Sequence, residues 1–536
     1  MCNHHIIPGF RKEDSNHNAH HEEWSRRSFI QALGLFGGGA MMLGSRSLTA
    51  SNPSPLSAAL SAAETDRILV IIRLKGGNDG LNTIIPLSQY DDYANLRPNI
   101  RIQEGSYFNL SDEYAMPNFM NSLESFWGDG KMKVVHGVGY PDQNLSHFRS
   151  SDIWASAEPT TEIQSGWLGR YFESLYPDYL ANPPEKPAAV QIGSIGNLIF
   201  DGVDNNYAFA VANPDQLNEI ASSGNAHDLD NLPDCAYGEQ LGFMRGITNT
   251  TYRYAGVIHD AYTAASNAST YGDNELAAQL SIVARLIKGN LGSKVYMVSI
   301  DGFDTHANQE VDHQQLLSSV ADTITAFYSD LEAGGMDSEV LSMTISEFGR
   351  RVEQNGSQGT DHGSCAPMML FGPALNGNGF VGNHPSLTNL DQNGNMFFQN
   401  DFRQIYATIL QEWLCLDAQM VNDALLGEQY ESAPLGFGCS TLSVDDFSDI
   451  QAFQHFATYE GNQTMINYIM PRASRVVIKL YNIIGQEVAT LQDSFSLEGK
   501  HAINVRQASG QRLATGQYVY RISAGNNNFS KSILVK

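Results

Sequence analysis

The sequence predicts an α/β fold, a mainly parallel sheet covered by helices on both faces, followed by a small C-terminal all-β sandwich. Three observations carry that expectation. Residues 68–74 (ILVIIRL), 295–300 (VYMVSI) and 340–346 (VLSMTIS) are short runs rich in Val, Ile and Leu, as in strands buried on both sides. Longer stretches with helical spacing lie between such runs, the alternation that builds a parallel sheet. From residue 457 the pattern changes to short alternating runs separated by Gly485, Gly499 and Gly516, as in a small sandwich.

In order, residues 1–63 read as a leader and linker. A polar, His-rich start is followed by Arg26 and Arg27 and then by a Gly-rich apolar run at 31–43, shorter than the ~20 residues that span a bilayer. This is the form of a twin-arginine export signal, removed on export and leaving no membrane anchor. Residues 64–440 form the α/β domain. Its first strand runs into GGNDG (76–80), offering Asp79, and a second strand at 131–138 leads towards a helix that Ser146 precedes. At a helix start, unpaired N–H groups and the helix dipole favour an anion, so Ser146 is a candidate nucleophile as well as an ordinary N-cap. Residues 200–275, poor in apolar runs, read as a surface insertion over the site. A helix at 275–287 leads into the strand at 295, 368–372 is a further strand and 401–416 a closing helix. Residues 441–456 are an acidic linker, and 457–536 the all-β unit.

Ligands in open α/β sheets bind beyond the carboxyl ends of the strands, so chemistry-bearing residues there carry most weight. Strand 295–300 ends in DGFDTH, where Asp304 and His306 project to one side if the chain stays extended. Strand 340–346 ends in Glu347 and Arg350, with Asp361 and His362 shortly after. Carboxylates beside imidazoles are metal-ligand chemistry. An internal Glu347–Arg350 ion pair is the alternative for those two residues, and His313 reads as structural.

The 536 residues hold 32 Lys and Arg against 58 Asp and Glu, a net charge of −26, which excludes nucleic-acid or anionic-lipid binding through a basic face. Of five cysteines, Cys2 falls in the leader. Cys415 and Cys439 are the nearest candidates for a disulfide, and free buried thiols are the equal alternative.

The ordered motifs RLKGGNDGLN (73–82), LSHF (145–148), GFDTH (302–306), SEFGR (346–350) and GTDHG (359–363) resemble the bacterial domain of unknown function 1501 family, itself similar to the alkaline phosphatase and sulfatase superfamily. The resemblance implies an alkaline-phosphatase-like three-layer sandwich and a hydrolase site with two divalent ions, zinc, manganese or calcium. Asp79, Asp361 and His362 would hold one ion beside the nucleophile Ser146. Asp304 and His306 would contribute to the other, Glu347 would ligate or orient, and Arg350 would pair a tetrahedral anion. Three features depart from the superfamily pattern: only Thr305 separates Asp304 from His306, His384 is a poor candidate for the late histidine, and Cys365 lacks the setting of a formylglycine sulfatase.

VVIKLYNIIGQEV (476–488) and LATGQYVYRI (513–522) resemble the C-terminal sorting domain of the type IX secretion system. That implies passage through the periplasm by the twin-arginine and type IX machineries, to the outer-membrane surface or the medium. The expected function is a secreted metal-dependent hydrolase of phosphate or sulfate esters, small or polysaccharide. The alternative is a surface binding or scaffold protein that keeps the fold without chemistry.

Overall fold

The computed structural model describes residues 66–439, apart from short stretches within 178–235 and residues 376 and 378, and residues 454–535 apart from short stretches. The leader with Arg26 and Arg27, Cys2, Cys235 and most of the expected linker lie outside the described residues. The chain divides into two compact units between Cys439 and Ser440.

The first unit is built on one large sheet. Its strands are β1 (Ile68–Leu74), β2 (Met132–Gly139), β3 (Ala189–Ile192), β4 (Ala208–Val211), β5 (Val295–Ile300) and β6 (Val340–Ser346). A hairpin, β7 (Gly349–Gln354) with β8 (Thr360–Gly363), stands apart from it, and β9 (Ala366–Phe371), β10 (Gly379–Val381) and β11 (Asn400–Asp401) rejoin it. The order is β10-β2-β9-β6-β1-β5-β3-β4, with β11 also on β2. All pairings are parallel except those of β9, which runs antiparallel to β2 and β6.

Alternate residues of β1 feed two separate cores, which makes the unit three-layered. Val70 and Ile72 join the core under α3 (Ala236–Ala264), α4 (Glu275–Lys288) and α5 (Gln309–Ala333). Leu69 and Ile71 join the opposite core under α1 (His147–Ser156), α2 (Trp167–Leu175) and α6 (Phe402–Thr408). All four are fully buried, each side chain worth roughly 1.5–3 kcal/mol of transfer free energy.

The stretch 200–275 is not a surface insertion. It supplies the edge strand β4 and the long helix α3, whose Tyr254, Ala255, Ile258 and Ala261 sit in the main core at helical spacing. The intervening Gly, Thr and Asn had diluted that periodicity. Cys415 and Cys439 are disulfide-bonded, while Cys365 is a buried free thiol.

The second unit consists of two antiparallel sheets around its own apolar core, which includes Ile466, Val476, Ile478, Tyr520 and Ile522. One sheet has the order 454–460, 463–470, 499–504; the other 487–496, 474–482, 516–524, 527–535. Among the described residues no helix is long and apolar enough to cross a membrane.

Candidate metal centre

Strands β5, β1 and β6 are adjacent and parallel, so their carboxyl ends meet at one rim of the sheet. The loop after β5 brings Asp304 and His306 there, the end of β6 brings Glu347, and the β7–β8 hairpin folds back with Asp361 and His362. Two close backbone approaches require glycine. At Gly76 (φ +118°) a Cβ would lie 2.3 Å from the Asp304 nitrogen, and at Gly359 one would lie 2.3 Å from the His306 carbonyl carbon.

The centre of the site is a triangle of donor atoms. Asp304 Oδ1 lies 3.1 Å from His306 Nε2 and 3.1 Å from His362 Nε2, and the two imidazole nitrogens lie 2.9 Å apart. His147, the first residue of α1, adds a third ring, its Nε2 3.4 Å from Asp304 Oδ2. His147, Asp304 and His362 offer ligand atoms within 4.8 Å of one another. Phe348 packs against the rings of both His147 and His362.

An acceptor stands behind each ring, within hydrogen-bond distance for His362 and His306. His362 Nδ1 donates to the Leu145 carbonyl at 2.9 Å, His306 Nδ1 faces Asp361 Oδ1 at 3.3 Å, and His147 Nδ1 faces Glu347 Oε2 at 3.7 Å. A neutral imidazole has one N–H, so spending it on Nδ1 leaves the Nε2 lone pair aimed at the centre. Two such lone pairs 2.9 Å apart repel unless a proton or a metal ion stands between them. Ligand atoms about 2 Å from one tetrahedral ion lie about 3.3 Å apart, close to the observed spacing. Carboxylates or carbonyls behind metal-binding imidazoles are the usual outer support of such sites.

Electrostatics favour the same reading. Partial burial works against the charge on Asp304, but the hydrogen bond and the charge of Arg350 hold its carboxyl down at about 2. A hydrogen bond from Asn355, opposed by some burial and aided by His306, lowers Asp361 below the ordinary carboxylate range. Burial lowers His362, which keeps its ring neutral near pH 7.

The other residues singled out in the sequence take different places. Asp79 is not at the cluster. It is fully buried, paired with Arg97 Nη1 at 2.5 Å and accepting from Gln309 Nε2, so both partners it needs are internal. Arg350 is likewise buried, with its guanidinium spent on the Gly76, Gly77, Phe303 and Thr360 carbonyls and on Asp304 at 2.7 Å. It clamps the site from within and does not stand at the mouth to meet an anion. Glu347 pairs with Arg73 at 3.1 Å and accepts from the Gly76 N–H at 2.6 Å, so its ion pair is with Arg73 and not with Arg350. Ser146 is the exposed N-cap of α1, directly before His147, and its hydroxyl makes no capping bond. His384 lies elsewhere, beside Gln89 and the ring of His136. Burial raises the Cys365 thiol to about 12, as suits an inert core cysteine.

The family profile described as Protein of unknown function (DUF1501) matches residues 133–433, more than half of the chain. The chain belongs to the DUF1501 family. The DUF1501 region contains every member of the cluster, His147, Asp304, His306 and His362. A second profile, Secretion system C-terminal sorting domain, matches residues 461–536, which implies export to the cell surface or beyond. No curated protein matches the chain. Among solved structures, the lipoteichoic acid synthase LtaP from Listeria monocytogenes is 8% identical, with 85% of this chain and 91% of that one covered at a TM-score of 0.32. A protein in the alkaline phosphatase superfamily from Vibrio parahaemolyticus is 8% identical, with 76% of each chain covered and a TM-score of 0.28. Alkaline phosphatase from the Antarctic bacterium TAB5 is 8% identical, with 68% of this DUF1501 chain and 100% of the other covered at 0.26. At such scores none of them speaks for the activity of this chain.

Proposed function

We propose that the DUF1501 domain is an exported metal-dependent hydrolase of phosphate or sulfate esters. The convergence of three imidazole Nε2 atoms on Asp304, each ring backed by an acceptor, carries this reading. His147, Asp304, His306 and His362 would hold one divalent ion, and Glu347 and Asp361 would orient rings from behind. A set dominated by imidazole suits zinc and disfavours manganese and calcium, which prefer oxygen ligands. When bound, the ion supplies positive charge that polarises an ester oxygen.

The chain's own groups supply the rest. Ser146 lies at the N-terminus of the ten-residue helix α1, and because its hydroxyl does not cap the helix, first-turn N–H groups remain free to face an anion. Its backbone is fixed by a bond from its N–H to Asn144 Oδ1 at 2.9 Å. Ser146 is exposed and directly precedes His147, so its hydroxyl would be the group that attacks an ester whose negative oxygens face the helix start. Arg350 keeps Asp304 ionised, and the Leu145 carbonyl keeps the His362 proton on the side away from the cluster.

The test is hydrolysis of chromogenic phosphomonoester, phosphodiester and sulfate ester probes by the full chain, with bound metal measured in parallel. Turnover of at least one probe should depend on zinc and vanish in Ser146→Ala without loss of bound metal. Folded, metal-loaded protein that turns over none of the three above the Ser146→Ala background would overturn the proposal.

A further inference from the structure

The loops that carry the cluster rest on a buried polar layer. Gln309, the first residue of α5, is fully buried, and its side-chain oxygen accepts two hydroxyls, Thr305 Oγ1 at 3.2 Å and Thr360 Oγ1 at 2.6 Å. Thr305 sits between Asp304 and His306, and Thr360 immediately precedes Asp361 and His362. One amide oxygen therefore ties together the two segments that bring the cluster its carboxylate and two of its three rings. The amide nitrogen of Gln309 donates to Asp79, which in turn holds Arg97. Arg97 continues into β7 of the ligand hairpin through the carbonyls of Arg351 and Val352, each at 2.8 Å.

We propose that Gln309, anchored on the Asp79–Arg97 pair, is the positioning residue that sets the spacing between Asp304 with His306 and Asp361 with His362. This rests on the metal reading of the cluster. A planar amide is fitted to the task, since its oxygen takes two donors from the facing loops while its nitrogen is fixed by a carboxylate. Backbone bonds follow the same seam: the Thr360 N–H donates to the Thr305 carbonyl at 3.1 Å, and the Gln309 N–H to the Gln358 carbonyl at 3.0 Å. The GGND motif then acts on the site from below, through Gln309, without its carboxylate touching the ion.

The experiment uses the full chain and two readouts: zinc affinity by calorimetry, and amide hydrogen exchange at Thr360 in metal-free protein. Gln309→Met, which keeps the length and removes all three side-chain bonds, should weaken zinc binding about 10- to 100-fold with stoichiometry unchanged, and should speed exchange at Thr360 at least about tenfold. Thr360→Val should shift both in the same direction by less, and Thr360→Ser, which keeps the hydroxyl, should restore wild-type values. If Gln309→Met does not fold, the Val and Ser variants at 360 decide. If wild-type protein takes up no zinc, the metal reading fails on its own and exchange at Thr360 still decides whether the seam is held by Gln309. Thr360→Val that binds zinc and exchanges like wild type would overturn the proposal.

Discussion

Asp304 and Asp79 are both aspartates at the carboxyl end of a central strand, both paired with an arginine, yet their surroundings give them opposite uses. Asp304 is 46% exposed, and beside its arginine it has lone pairs left for three imidazoles. Asp79 is 0% exposed, with one oxygen held by Arg97 and Gln309 and the other by the Leu81 N–H. A carboxylate that still faces solvent can take a cation, whereas one sealed among donors already has its charge balanced. The open rim reads as the chemistry and the sealed layer beneath it as the frame that sets the geometry.

The largest effect should come from breaking the sealed pair. Arg97→Met strands a buried carboxylate and should cost about 3–5 kcal/mol in denaturant unfolding of the metal-free protein; a loss below about 1 kcal/mol would erase the distinction. At the rim the order reverses. His362→Ala should leave metal-free stability within about 1 kcal/mol of wild type, while lowering zinc affinity by more than the roughly 100-fold that loss of an outer partner costs. Asp361→Ala removes the acceptor behind His306 and a partner of Asn355 but no proposed ligand, so calorimetry should read a weaker site by about 10- to 100-fold with one equivalent still bound.

The smallest effect is in acid. The folded pKa of Asp304 is depressed to about 2, below the ordinary value near 3.9. Its contribution to stability is therefore complete above about pH 4 and is lost only as pH falls towards 2. Carboxyl carbon NMR of metal-free protein should show Asp304 ionised at pH 3. A midpoint near 4 would mean that Arg350 does not hold it as the geometry indicates.

Much of the fold was legible because strands buried on both sides leave uninterrupted Val and Ile runs, as in β1, β5 and β6. Helix α3 was not, because the Gly, Thr and Asn scattered along it dilute a spacing that the core reads clearly. At the site, residue type and a strand-end position pointed to Asp304, His306, Asp361 and His362, and the structure brings these four together. His147 was overlooked although it stands in the LSHF motif, since attention went to the serine beside it and ring direction depends on how α1 meets the end of β5. The partners of Asp79 and Arg350 lie up to 274 residues away and leave no local pattern. Gln309 has no sequence signal beyond its position just after the GFDTH motif.

The central claim is that imidazole nitrogens from three separate segments share one ion with Asp304. X-ray absorption at the zinc edge of zinc-loaded full-length protein tests it most directly. Expected is one equivalent of zinc in a nitrogen and oxygen shell at about 2.0–2.1 Å, with outer-shell scattering from three imidazoles that falls by one ring in His147→Ala. Less than one equivalent after loading, or a shell of oxygen alone, would contradict it.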